Sequence, residues 1–140
     1  MTQNDPQRAR ISPSMDQWIQ EAKKEQDASQ VGMYLFHNGV VRETPKVQVR
    51  EGIDTGKKVS GMDFSYDAHK VKEAIEEART LPGIFHVRAW LAEGHLQVGD
   101  DIMYILVGGD IRPHVIDALQ HLVGRIKTEC VTETEGTDNP

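Results

Sequence analysis

The sequence predicts an α+β fold, a mostly antiparallel sheet covered by helices. Three observations carry that prediction. Short apolar runs are separated by turn signals such as Asn38-Gly39 and Gly99-Asp100, which join neighbouring strands directly. Other segments carry apolar residues at helical spacing. The two kinds interleave in the order helix, strands, helix, two strands, helix. At 140 residues the chain fits one domain able to bury a real core. That domain is expected at 12–135, between tails at 1–11 and 136–140.

The first helix starts at Ser12-Pro13-Ser14, with Ser14 as N-cap and Gln17 placed for a capping box. Met15, Trp18, Ile19 and Ala22 form its apolar stripe, with Trp18 as a docking anchor, and the polar stretch Lys23 to Gln30 ends it. Val31 to His37 reads as a strand, Asn38-Gly39 as a turn or bulge, and Val40 to Arg42 as its continuation. From Glu43 to Lys58 the chain is polar and reads as a long loop, with room for a short hairpin at Lys46 to Arg50. Val59 to Tyr66 is extended. Asp67 caps a helix to about Leu81 with the stripe Val71, Ala74, Ile75 and Ala78, stopped by Pro82-Gly83. Ile84 to Leu91 and Asp101 to Val107 are the next strands. Asp110 is read as the N-cap of a last helix, His114 to Lys127, with the stripe Val115, Leu119, Leu122 and Ile126. Val131 to Thr134 can add an edge strand.

Composition excludes several functions. Sixteen Lys and Arg against twenty-two Asp and Glu leave a formal charge of −6. Broad nucleic-acid or anionic-membrane binding needs the opposite balance, although a small local basic pocket is still allowed. Cys130 is the only cysteine, so neither an intrachain disulfide nor a cysteine-rich zinc site can form, and it is expected to be a packed, inert thiol. The polar N-terminus shows no signal peptide and no run approaches membrane-spanning length, so a cytoplasmic location is expected.

Four segments, in order, resemble the large (catalytic) subunit of molybdopterin synthase. They are Gly32 to Arg42, with the turn Gly39-Val40-Val41-Arg42; Val59 to Leu81; Gly94 to Asp101, with Gly99-Asp100 before an apolar strand; and that strand with Arg112 to Lys127. The weight lies in their order and spacing. The resemblance implies an α/β hammerhead fold and a homodimer within a heterotetramer. The other subunit would be a small ubiquitin-like sulfur carrier, whose thiocarboxylate passes sulfur to cyclic pyranopterin monophosphate, forming molybdopterin. No metal or cofactor is expected in this subunit.

By position, the resemblance makes Lys127 the catalytic lysine and Arg42 and Arg112 binders of the pterin phosphate substrate. The chemistry suits those residue types. Arginine's planar fork pairs with phosphate and stays charged, and lysine supplies an amine whose pKa its surroundings can lower. Arg112 would also gain from a helix N-terminus. Departures are equally specific. Ile111 stands where the family has histidine, and Thr134 where it has a second lysine. Residues 128–140 contain no Lys or Arg but include Glu129, Glu133, Glu135 and Asp138, which disfavour anion binding nearby. Lys57 and Lys58 in the long loop are candidates to restore the missing charge.

Other constellations read blandly. His114, Asp117 and His121 share one side of the last helix but read as its solvated face rather than a metal site. His37, His69, His86 and His95 lack ligand spacing and read as structural or surface residues. Two functions therefore compete. One is the sulfur-transferring subunit; the other is a non-catalytic paralogue that binds the carrier or acts as a regulatory module.

Overall fold

The computed structural model describes residues 11–54 and 56–138. They form helices α1 (Met15–Ala22), α2 (Lys46–Glu51), α3 (Ala68–Arg79) and α4 (Arg112–Arg125). The strands are β1 (Met33–Val40), β2 (Lys58–Tyr66), β3 (Ile84–Leu91), β4 (Gly94–Gln97), β5 (Asp101–Gly109) and β6 (Val131–Asp138). All pairings are antiparallel, as expected, but the strands divide into two sheets, β1-β5-β3 and β4-β2-β6.

Strand β5 is the centre of the first sheet, and eight successive residues from Ile102 to Gly109 are buried. That follows from coverage on both faces. Met103, Ile105 and Val107 point into the main core with Val115 and Leu122 of α4, Ile126 just after it, and Val71, Ala74 and Ala78 of α3. Tyr104 and Leu106 point the other way, onto Trp18 and Ala22 of α1. The same two-residue alternation sends Met33 and Leu35 of β1 to the α4 side and Tyr34 and Phe36 to the α1 side. Trp18 is the anchor expected of it. Tyr104 meets it edge-on at 6.3 Å, and the Arg88 guanidinium lies 4.5 Å from its ring centre.

Local signals account for most element ends. Ser14 Oγ accepts from Gln17 N at 3.2 Å, but the Gln17 amide donates to Glu21 instead of closing a capping box. Asp67 caps α3 through the amides of His69 and Lys70. Gly83 turns the chain at φ 74°, where a Cβ would lie 2.2 Å from the Asp110 carboxylate, so only glycine fits. Asn38-Gly39 resolves as a bulge within β1, whose register shifts between Gly39 and Val40.

Four expectations need correction. The hairpin at Lys46 to Arg50 is the helix α2. Alternating Val47 and Val49 imitate a strand, but Pro45 starts a helical turn, Gly52 closes it at φ 70°, and the Glu135 carboxylate caps the Lys46 amide from β6. That last contact is tertiary and invisible in local sequence. Strand β4, absent from the expected order, leaves little periodic signal because it has four residues and buries only Leu96. The last helix begins at Arg112 with Pro113 in its first turn and gives way at Ile126 to a π-helical turn, Ile126–Cys130; Asp110 thus precedes the N-cap position, which Ile111 occupies. Strand β6 has eight residues and runs into the stretch read as a C-terminal tail, because β2 offers it a full-length partner from Lys58 to Tyr66. The expected N-terminal tail, apart from Ile11, lies outside the described residues.

Candidate functional site

At the C-terminal end of α4 both sheets contribute to one cavity of about 210 Å³. Its wall includes His37 and Arg42 from β1 and the turn after it, Lys46 and Arg50 from α2, Lys127 from the π-helical turn, and Glu133 and Glu135 from β6. Four permanent cations against two carboxylates make it a cationic spot on a chain whose formal charge is −6. Among the described residues neither Arg42 nor Lys127 takes part in an ion pair, so both remain available to an anion.

Local structure explains how Lys127 reaches the cavity. Ile126 and Cys130 are buried at either end of the π-helical turn, and the residues between them are exposed. Lys127 follows the stripe residue Ile126 directly, roughly 100° round the helix from it, and so projects off the core face; π-turns of this kind recur at functional sites. Cys130 behaves as the packed thiol expected, with burial pushing its pKa up. Arg42 follows the bulge at Gly39, and Val41, 2% exposed, pins that segment to the core.

His37, which reads in the sequence as a structural or surface residue, lies at the cavity wall. It continues the core-facing row Met33, Leu35 along β1 and pairs across the sheet with Ile105. Its Nε2 is buried without a hydrogen-bond partner. Burial first, and the Lys127 charge second, lower its pKa below the usual histidine value and favour the neutral ring. Two-residue periodicity beside the Gly39 turn was the available signal. Lys46 and Arg50 were missed. Their spacing of four after Pro45 would have placed them on one helix face had α2 been recognised. Lys46 Nζ lies 2.6 Å from Glu133 Oε2, whose side chain is only 9% exposed.

Not every candidate converges. Arg112 is exposed in the first turn of α4 and lines none of this cavity. Lys57 and Lys58 do not line it either; Lys58 instead sits 3.4 Å from Glu43 on the surface. Along α4, His114 is tied to Asp110 at 2.7 Å and His121 to Glu77 at 2.5 Å, two separate carboxylates. Arg125 joins Glu77 and Glu129 in the same surface network.

The family model described as "MoaE protein" matches residues 12–129. The chain belongs to the MoaE family. This is the family of the molybdopterin synthase large subunit, and the match stops just before β6, the strand carrying Thr134, Glu133 and Glu135. Solved structures share the fold of this MoaE family member at low identity. Molybdopterin synthase from Staphylococcus aureus is 20% identical, with 93% of this chain and 90% of that one covered and a TM-score of 0.69. The MoaE protein of Burkholderia ambifaria is 17% identical, covering 89% and 80%, with a TM-score of 0.66. A complex of subunits 1 and 2 of molybdopterin-converting factor from Helicobacter pylori contains a chain 12% identical, covering 89% and 79%, at 0.61. Among curated proteins none matches the sequence significantly.

Proposed function

We propose that this MoaE family member acts in molybdenum cofactor biosynthesis as the sulfur-transferring subunit of a molybdopterin synthase. The observation carrying this reading is the convergence of Arg42 and Lys127, 85 positions apart by their numbering, on one cationic cavity. Arg42 would hold an anionic group, the substrate's phosphate or the carboxyl end of the donor. Lys127 supplies an amine that can exchange protons or trap an acyl carbon. The cavity is smaller than the roughly 300–1,000 Å³ that encloses a whole small molecule. It accommodates a charged group or a chain end, and the rest of the site would come from other subunits. A homodimer would let Arg112 of a second copy complete it, and a ubiquitin-like carrier would insert its thiocarboxylate tail, as subunit association in the Helicobacter pylori complex encourages.

A second reading is favoured by β6, where Thr134 replaces a lysine expected in the family and two carboxylates reach the cavity. On that reading the chain binds the carrier without catalysis. Incubating the purified protein with thiocarboxylated carrier and pterin precursor separates the two. Molybdopterin that is lost with Lys127→Ala supports the enzyme. Carrier binding without product supports the paralogue, and absence of both refutes both.

A further inference from the structure

Lys46 is the cavity residue whose environment is least explained by the reading above. It comes from a six-residue helix on the long loop, and its ammonium is engaged by Glu133 at 2.6 Å. Glu135, two residues along the same strand, accepts from the Lys46 backbone amide with both carboxylate oxygens at 3.3 Å. Two carboxylates of β6 thus hold the start of α2 against the cavity, through the side chain and the backbone of one residue. They act differently. Glu135 fixes the helix in place. Glu133 occupies the donor face of the ammonium, where an external anion would otherwise bind.

We propose that Lys46 is an anion-binding residue of this cavity and that Glu133 is its built-in competitor, displaced by a phosphate-bearing ligand. This rests on the cavity receiving an anion, as proposed above. The chemistry favours exchange over a permanent lock. The ammonium has three donors and four rotatable bonds, so it can turn from Glu133 to a ligand without moving the helix that Glu135 holds. Arg42, Arg50 and Lys127 on the same wall then share a doubly charged phosphate, which a single carboxylate cannot match. The acidic residues of β6, expected to weaken anion binding, set its threshold instead.

Inorganic phosphate and pyrophosphate are the probes, with affinity followed by amide chemical shifts of the full chain and folding checked by circular dichroism. Glu133→Gln should bind about tenfold more tightly, the scale of one charge-assisted hydrogen bond released for the ligand. Lys46→Met should bind more weakly than the parent, whereas Lys58→Ala, which removes the same charge outside the cavity, should bind as the parent does. The gain from Glu133→Gln should vanish in a Lys46→Met/Glu133→Gln double variant. A gain that persists without Lys46, or unchanged binding in Lys46→Met, overturns the proposal while leaving the cavity's anion-binding role intact. Absence of binding by both the parent and Glu133→Gln overturns the role and the proposal together.

Discussion

The two ends of α4 carry the two kinds of residue singled out in the sequence, and they differ in almost every respect. At the N-terminal end Arg112 is exposed, and the nearby Asp110 and His114 are engaged with each other. At the C-terminal end Lys127 faces a cavity built from both sheets, α2 and β1. The 14-residue helix separates them by roughly 21 Å. Within one protomer Arg112 does not line the cavity that Lys127 faces. If both act in one reaction, they would act from different copies, as proposed above.

That separation yields the largest expected effect. Lys127→Ala should lower molybdopterin formation by on the order of 10²–10⁴, the range for losing a positioned proton-transfer group. Arg112→Ala should be impaired too. Mixing the two inactive variants and allowing subunits to exchange should restore roughly a quarter of parental activity, because half the dimers then hold one intact site. No recovery on mixing would place both residues in the same site or Arg112 in none.

A smaller effect tests how the C-terminal end is held. Ile126 is 0% exposed and anchors the turn that presents Lys127. Ile126→Ala should destabilise the fold by about 2–5 kcal/mol through the cavity it leaves. It should also weaken phosphate binding under conditions where the variant remains folded. Denaturant titration measures the first and chemical-shift titration the second. Loss of stability with unchanged binding would mean that the turn does not position the lysine.

The same contrast explains what the sequence revealed. Core stripes were legible because burial imposes a period: Val115 and Leu122 on α4 with Ile126 just after it, and Val71, Ala74 and Ala78 on α3, are all buried. Lys127 and Arg42 were legible through family resemblance alone, since nothing local distinguishes them from surface cations. The remaining cavity wall was hidden because long-range pairing makes it. Helix α2 depends on Glu135 from a strand some ninety positions on, and β6 depends on β2 for its length. Lys57 and Lys58, candidates for charge replacement because they lie in the long first loop, do not line the cavity. Lys46 and Arg50 line the cavity because a capped helical turn places them there.

A titration sharpens the comparison further, because an imidazole stands near each end of α4. His37, at the cavity, has an unpartnered buried Nε2 and a pKa lowered by burial and by Lys127. The unfolded chain protonates this ring near its ordinary value, about 6.5, and the folded protein only at lower pH. Between those two values the unfolded state binds more protons, so stability falls as pH drops through that window and is fully present above it. His37→Gln should remove this component. By NMR, the His37 ring should titrate below the usual value, and Lys127→Met should move it upward but not fully back, because burial is the larger cause. An unchanged titration in Lys127→Met would separate the two residues.

The smallest effect belongs to the other end. The His114 hydrogen bond, followed by the Ile111 amide, holds the Asp110 carboxyl below its ordinary pKa against the opposing effect of burial. A depressed carboxylate contributes stability above its unfolded pKa, about 3.9, and loses it as pH falls through the folded value. Asp110→Asn should therefore lower stability slightly at neutral pH and flatten the acid limb of a denaturation profile. It should leave phosphate binding at the Lys127 cavity unchanged, since α4 lies between them. A change in that affinity would show that the ends of α4 are coupled through the helix, and the separation argued from its length would no longer isolate Arg112 from the cavity of its own protomer.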